Sequence, residues 1–179
     1  YRRRRLLTFL DPWADPLGDG FQIIQSLIAV GSGGVFGRGL MSGVQKLYYL
    51  PEAHTDFILA VIAEELGLAG VLLVLVLFAL VCGRCFALGL HAVHRGLEFA
   101  GGGCFGVGLW IGVQALVSIG VNLGVLPTKG LTLPLVSSGG SSLLMTCAAI
   151  GLVLRASYEL SRREAEMALE PAAAAEAAP

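Results

Sequence analysis

The chain has 179 residues, 55% hydrophobic and only 14% charged, with a mean hydropathy of +0.77. Soluble domains carry roughly 25% charged residues, so this composition excludes an ordinary soluble domain and fits an integral membrane protein. The formal net charge of −1 conceals segregation, with Arg2 to Arg5 in one block and Arg155, Arg162 and Arg163 in another, and it gives no reason to expect a nucleic-acid partner.

Residues 1–20 read as polar loop, with prolines and glycines that break regular structure. The chain opens on basic residues with no initiator methionine or signal-peptide pattern, so a fragment of a longer protein is expected. Phe21, Ile24 and Ile28 recur at helical spacing, with Gln22, Gln25 and Ser26 on the other side. That segment is too short to span and suggests an interfacial or re-entrant helix. Gly31-Ser32-Gly33-Gly34 and Gly37-Arg38-Gly39 follow as turn-rich backbone.

Three uncharged apolar runs approach the ~20 residues a membrane helix needs. They predict spans over about 57–83, 99–123 and 138–156. Between the first two, Arg84, His91, His94, Arg95 and Glu98 suggest a short polar connection. The second is rich in glycine, which permits close helix approach in lipid. Leu126 to Pro134 form a loop bounded by two prolines. Beyond the third span, residues 157–179 read as a charged, frayed helix and a disordered alanine-rich tail. Charges near span ends favour a cytoplasmic C-terminus, which makes residues 1–56 an extracytoplasmic loop with short amphipathic helices. The fold class expected is an all-α polytopic membrane protein.

Cys82, Cys85, Cys104 and Cys147 fall in or beside apolar segments. Cys82-Gly83-Arg84-Cys85 lacks the strand-then-helix context of a redox pair, so all four read as small apolar packing residues. No metal-ligand spacing, nucleophile elbow or P-loop is present. The sequence leaves a divalent cation such as Mg2+ open and requires no other cofactor.

Ionisable residues cluster where the first span begins, at Glu52, His54 and Asp56. Partial desolvation there could raise the Asp56 pKa toward the working range of a general base. Equally, Asp56 could cap the helix start, and the composition leaves both roles open. His54 and Glu52 could orient Asp56 or be solvated loop groups. Glu64 and Glu65 lie farther in, where a charge needs a reason. Lys46 and Lys129 are lone loop cations that suit a phosphate or pyrophosphate, or simply snorkel to the interface. Ser137 to Ser142 open the third span, where free amides could hold an anion or be plainly capped.

Two long segments carry a family resemblance. One is Val44-Gln45-Lys46-Leu47-Tyr48-Tyr49-Leu50-Pro51-Glu52-Ala53-His54-Thr55-Asp56-Phe57, which resembles the large extracytoplasmic loop of the SEDS family (shape, elongation, division and sporulation). The other, from Leu126-Pro127-Thr128-Lys129-Gly130-Leu131-Thr132-Leu133-Pro134 to Ser142, resembles that family's C-terminal signature. The wording is similar to the cell-division branch and the likeness runs from Tyr1 to about Tyr158. Ser138 stands where the family most often has Tyr, and Ser118 where Asn is usual.

The resemblance implies the C-terminal portion of a ten-span helical bundle in the bacterial inner membrane, at the division septum. It implies a peptidoglycan glycosyltransferase that polymerises lipid II with inversion, from a donor on undecaprenyl pyrophosphate. Asp56 would be the catalytic base, with Lys46, Glu52, His54, Thr55 and Lys129 contacting substrate or supporting the base. The partners implied are lipid II, the nascent glycan strand, a class B penicillin-binding transpeptidase, other division-machinery membrane proteins and membrane lipids. A lipid II flippase and a non-catalytic membrane scaffold are the alternatives. With most of the bundle absent, the 179-residue piece alone is expected to be inactive.

Overall fold

The computed structural model describes residues 13, 20–39, 42, 56–127, 130 and 132–176, with side chains in the last helix described to Met167 and at Leu169. Within these lie α1 (Phe21–Gly33), α2 (Ile58–His94), α3 (Glu98–Asn122) and α4 (Gly140–Glu176). Three helices are long and apolar enough to cross a membrane: α2, α3 and the Gly140–Met167 part of α4. Their outward faces carry Leu72, Leu73, Val76, Leu77 and Leu80 on α2 and Leu144, Met145 and Leu152 on α4, all exposed. Helices apolar on every side belong in lipid, where no polar outer face is needed. With 13 residues, α1 is too short to cross.

Both α2 and α4 run past their apolar segments. The helix of α2 continues through Arg84, His91 and His94, so the connection expected there narrows to Arg95, Gly96 and Leu97. Counted only from Leu68, past a non-helical Gly67, to His94, the helix is about 40 Å long, against a hydrocarbon core of about 30 Å. The surplus projects from the membrane, where polar residues are compatible with helix. Helix α4 likewise continues through the alanine-rich stretch to Glu176, where composition suggests disorder. Alanine has the highest helix propensity, and ion pairs brace the preceding turns: Arg155 with Glu159 at 2.9 Å and Arg162 with Glu166 at 2.8 Å. Glu164 also reaches back to α2, accepting from His91 Nε2 at 2.6 Å and lying 3.3 Å from Arg95.

The hairpin of α2 and α3 packs through small residues. A side chain at Gly101 would lie 2.9 Å from the Gly89 carbonyl oxygen and 2.6 Å from a Val93 methyl, so only glycine allows this approach. Lower on the same seam, Cys85 and Cys104 pack with Val153 and Ala156 of α4, as small apolar residues. A second cluster at the opposite end joins Ala29, Phe57, Ala60, Val61 and Val121.

Helix α2 is broken at Gly67, whose φ of 69° and ψ of −160° are non-helical. The break interrupts the helical ladder, and residues 34–39 supply the missing partners. Arg38 and Gly39 amides donate to the Glu64 and Glu65 carbonyls at 3.0 and 3.1 Å. The Leu68 and Ala69 amides donate to Gly34 and Val35 at 3.0 and 3.2 Å. Irregular backbone at membrane depth requires such satisfaction by protein. Helix α1 leads into this segment, and its buried face is Ile23, Ile24, Ser26, Ala29 and Gly33. Ser26 therefore faces inward and Ile28 is exposed, a rotation from the face suggested by periodicity. The physical reason is a polar contact of Ser26 with α3.

Candidate functional site

Asp56 is the residue before the cap of α2. The cap position falls to Phe57, whose side chain makes no capping hydrogen bond. The amide of Ala60, in the first turn, is shared between the Phe57 carbonyl and Asn122 Oδ1 of α3, each accepting it at 3.0 Å. The same Asn122 side chain donates through Nδ2 to the Asp56 carbonyl and to the Ser118 carbonyl, each at 2.9 Å. Its own backbone carbonyl accepts from Ser26 Oγ at 2.8 Å. Asn122 is completely buried, so every bond it makes replaces water it has lost. The two carbonyls it faces fix its amide orientation, since each requires a donor.

Asn122 ends a polar stripe on α3. Gln114, Ser118 and Asn122 recur every fourth residue and so share a helix face. Gln114 Nε2 donates to the Thr132 carbonyl at 3.0 Å, tying down the loop between α3 and α4. Eight residues separate Gln114 from Asn122, about 12 Å along the helix, so this loop dips beside α3 rather than arching away from it. Ser118 Oγ, between the two, is buried without a hydrogen-bond partner among the described residues.

The dipping loop is internally braced. Thr132 Oγ1 donates to Ser142 Oγ at 3.1 Å, and the Leu133 amide donates to Ser137 Oγ at 2.8 Å. Leu133 and Pro134 are fully buried. Leu135 is the non-glycine residue with left-handed backbone among those described, at φ 64°. That conformation costs about 1–2 kcal/mol and is held by the bonds on either side. The hydroxyls of Ser137 and Ser142 thus serve to fold the loop.

This architecture brings two distant motifs together. A carbon added to Gly130 would lie 3.5 Å from Asp56 Oδ2, so the Pro-bounded loop passes directly against the Asp56 carboxylate. Asp56 itself is partly exposed, and Glu64, two turns into α2, is fully buried. The other site residues expected from sequence, Lys46, Glu52, His54, Thr55 and Lys129, lie outside the described residues. So does the Arg2 to Arg5 block. Among the described residues, no three His, Cys, Asp or Glu side chains gather to hold a metal.

Sequence reasoning passed over Asn122 and Gln114 and placed Ser26 on the polar face of its helix, away from the bundle. A signal was present, because polar residues at fourfold spacing in an uncharged span need partners inside the bundle. What it lacked was any indication of which partners.

Comparison with known proteins agrees with these motifs. A probable peptidoglycan glycosyltransferase FtsW from Xanthomonas oryzae pv. oryzae is 60% identical over 164 residues, covering 92% of this chain and 34% of the relative. Proteins of the same description from Thioalkalivibrio sulfidiphilus and Coxiella burnetii are 57% and 56% identical, covering 89% of this chain and 40% and 43% of theirs. The chain therefore spans well under half the length of these curated relatives. A solved chain from work described as "Structural coordination of polymerization and crosslinking by a peptidoglycan synthase complex" superposes with a TM-score of 0.65 at 43% identity, over 89% of this chain and 42% of that one. A family model described as cell cycle protein, covering FtsW, RodA and SpoVE, matches residues 1–162, and the chain belongs to that family.

Proposed function

We propose that this chain supplies the base-bearing part of a peptidoglycan glycosyltransferase, which polymerises lipid II into glycan strands during septal wall synthesis. The observation that carries the reading is the meeting of Asp56 with the loop at Gly130, since those segments hold the ionisable residues suited to the reaction. Relatives described as probable peptidoglycan glycosyltransferases support the same reaction class.

In this mechanism the 4-hydroxyl of the incoming lipid II sugar attacks the anomeric carbon of the glycan donor. An O–C bond forms as the bond from the anomeric carbon to the pyrophosphate oxygen breaks, inverting that carbon. The hydroxyl proton passes to the Asp56 carboxylate, and the electron pair leaves on undecaprenyl pyrophosphate. Pyrophosphate is a good leaving group, so one base and nearby cations suffice. Lys46 and Lys129 are proposed as those cations, with Glu52, His54 and Thr55 as supports around the base. Partial exposure of Asp56 suits a group that must receive a large substrate. The site faces the extracytoplasmic side and the C-terminus the cytoplasm, with a class B penicillin-binding transpeptidase as partner. The similarity to a chain from a peptidoglycan synthase complex supports that partnership.

The test is polymerisation of purified lipid II by the protein in its native length, with and without Asp56→Asn. A general base contributes roughly 10²–10⁴-fold, and the variant is expected to lose about that much rate while still inserting normally. Glycan chains formed at the native rate by Asp56→Asn would sink the mechanism. Failure of the native protein itself to form glycan would instead favour the flippase or scaffold reading.

A further inference from the structure

We propose that Asn122 is a positioning residue for the reaction, setting the geometry of Asp56 by capping, from α3, the helix that Asp56 leads into. The proposal deepens the reading above and rests on Asp56 being the base. A helix start normally satisfies its free amides with a side chain at the cap itself. Here that position holds Phe57, whose side chain makes no capping bond, and the side-chain acceptor comes from across the bundle, with Asn122 Oδ1 sharing the Ala60 amide with the Phe57 carbonyl. One amide group grips both sides of the residue pair that matters, accepting from Ala60 and donating to the Asp56 carbonyl. The direction in which the Asp56 side chain leaves the backbone is therefore set by α3.

The grip is itself braced at both ends. Ser26 Oγ on α1 holds the Asn122 carbonyl, and the third bond of Asn122 returns to Ser118 within α3. Three helices thus converge on one buried residue next to the proposed base. Asn122 thereby holds the Asp56 backbone carbonyl at the head of α2. Misplacing a reacting group by about 1 Å costs on the order of 10²-fold in rate.

The chemistry of the side chain dictates the test. Asn122→Ala removes all three bonds. Asn122→Asp keeps the shape and the acceptor for Ala60, yet when ionised it offers no proton to the Asp56 and Ser118 carbonyls. Protonated, it regains one donor. Both variants, with Asp56→Asn alongside, are assayed in the native-length protein, purified monodisperse, with lipid II as substrate between pH 6 and 9. For Asn122→Ala the expected result is a fall in kcat of about 10–100-fold, with KM for lipid II within about twofold of native. For Asn122→Asp, kcat relative to the native protein should recover as pH falls.

Failure is readable separately for each level. If Asp56→Asn is inactive while monodisperse Asn122→Ala keeps native kcat, positioning is wrong and the base assignment stands. If Asp56→Asn polymerises normally, the base assignment falls and takes this proposal with it. If neither Asn122 variant can be purified as monodisperse protein, Asn122 serves folding alone and the proposal is overturned. A relative kcat for Asn122→Asp that does not change with pH would also overturn it.

Discussion

Gly67→Ala should detach the segment 34–39 from the broken helix α2, and the structure allows its cost to be worked out. At φ 69° and ψ −160°, Gly67 occupies a region open essentially to glycine, where another residue is strained by about 1–3 kcal/mol. The new methyl would also lie 2.6 Å from the Val35 carbonyl oxygen and 2.7 Å from its carbon, and would collide with the Gly37 amide nitrogen. These are backbone atoms that cannot rotate aside, so crowding adds a further ~1–3 kcal/mol. The combined penalty is about 2–6 kcal/mol, and at ~2–4 °C per kcal/mol it lowers the thermal midpoint on the order of 10 °C. The four backbone hydrogen bonds across the break would be the first to open, because the methyl pushes directly between their donors and acceptors. Thermal unfolding of the detergent-purified protein measures the loss, and amide exchange at residues 37–39 and 68–69 locates it. Gly102→Ala is the control, since nothing lies within 4 Å of a carbon added there. Alanine within a helix is favoured over glycine by about 0.5–1 kcal/mol. A Gly67→Ala protein as stable as the native one, with unchanged exchange at those amides, would refute the reasoning.

The remaining predictions concern the hairpin seam and the dipping loop. Gly101→Val should lower stability by about 1–3 kcal/mol by separating α2 from α3. Gly102→Val, one residue away and facing open space, should stay within about 0.5 kcal/mol of native; equal effects in thermal unfolding would contradict the packing described. Gln114→Leu removes the donor to the Thr132 carbonyl and should cost about 0.5–1.5 kcal/mol. It should also speed amide exchange at residues 132–137, and unchanged exchange there would show that the loop is held by other means.

Membrane character was legible from hydropathy because a lipid solvent imposes long uncharged runs and little else. The ends of the helices were not. Hydropathy locates where hydrocarbon begins and stops, whereas helix α2 continues through Arg84 and His94 because a helix can leave the membrane intact. The inward face of α1 was misleading for a related reason. Ser26 looks solvent-facing by polarity, yet a hydroxyl is welcome inside a bundle when a carbonyl awaits it. Asp56 stood out as an ionisable residue at a helix mouth, with capping and base catalysis both open. A side-chain acceptor for the first turn comes from Asn122, a residue 66 positions from Asp56 that has no sequence pattern linking it to Ala60.

By itself, the sequence determined the solvent this protein requires, the number of its apolar spans and the two motifs of its family. These are local properties, written in composition and in short runs of neighbouring residues. Only the tertiary structure decided that Gly130 passes against the Asp56 carboxylate, that α2 breaks at Gly67 to accept residues 34–39, and that one buried amide on α3 holds the head of α2. The last two depend on groups far apart in the chain finding hydrogen-bond partners in one another. In lipid an unsatisfied backbone or side-chain polar group is costly enough that the bundle, rather than any single segment, chooses the pairing.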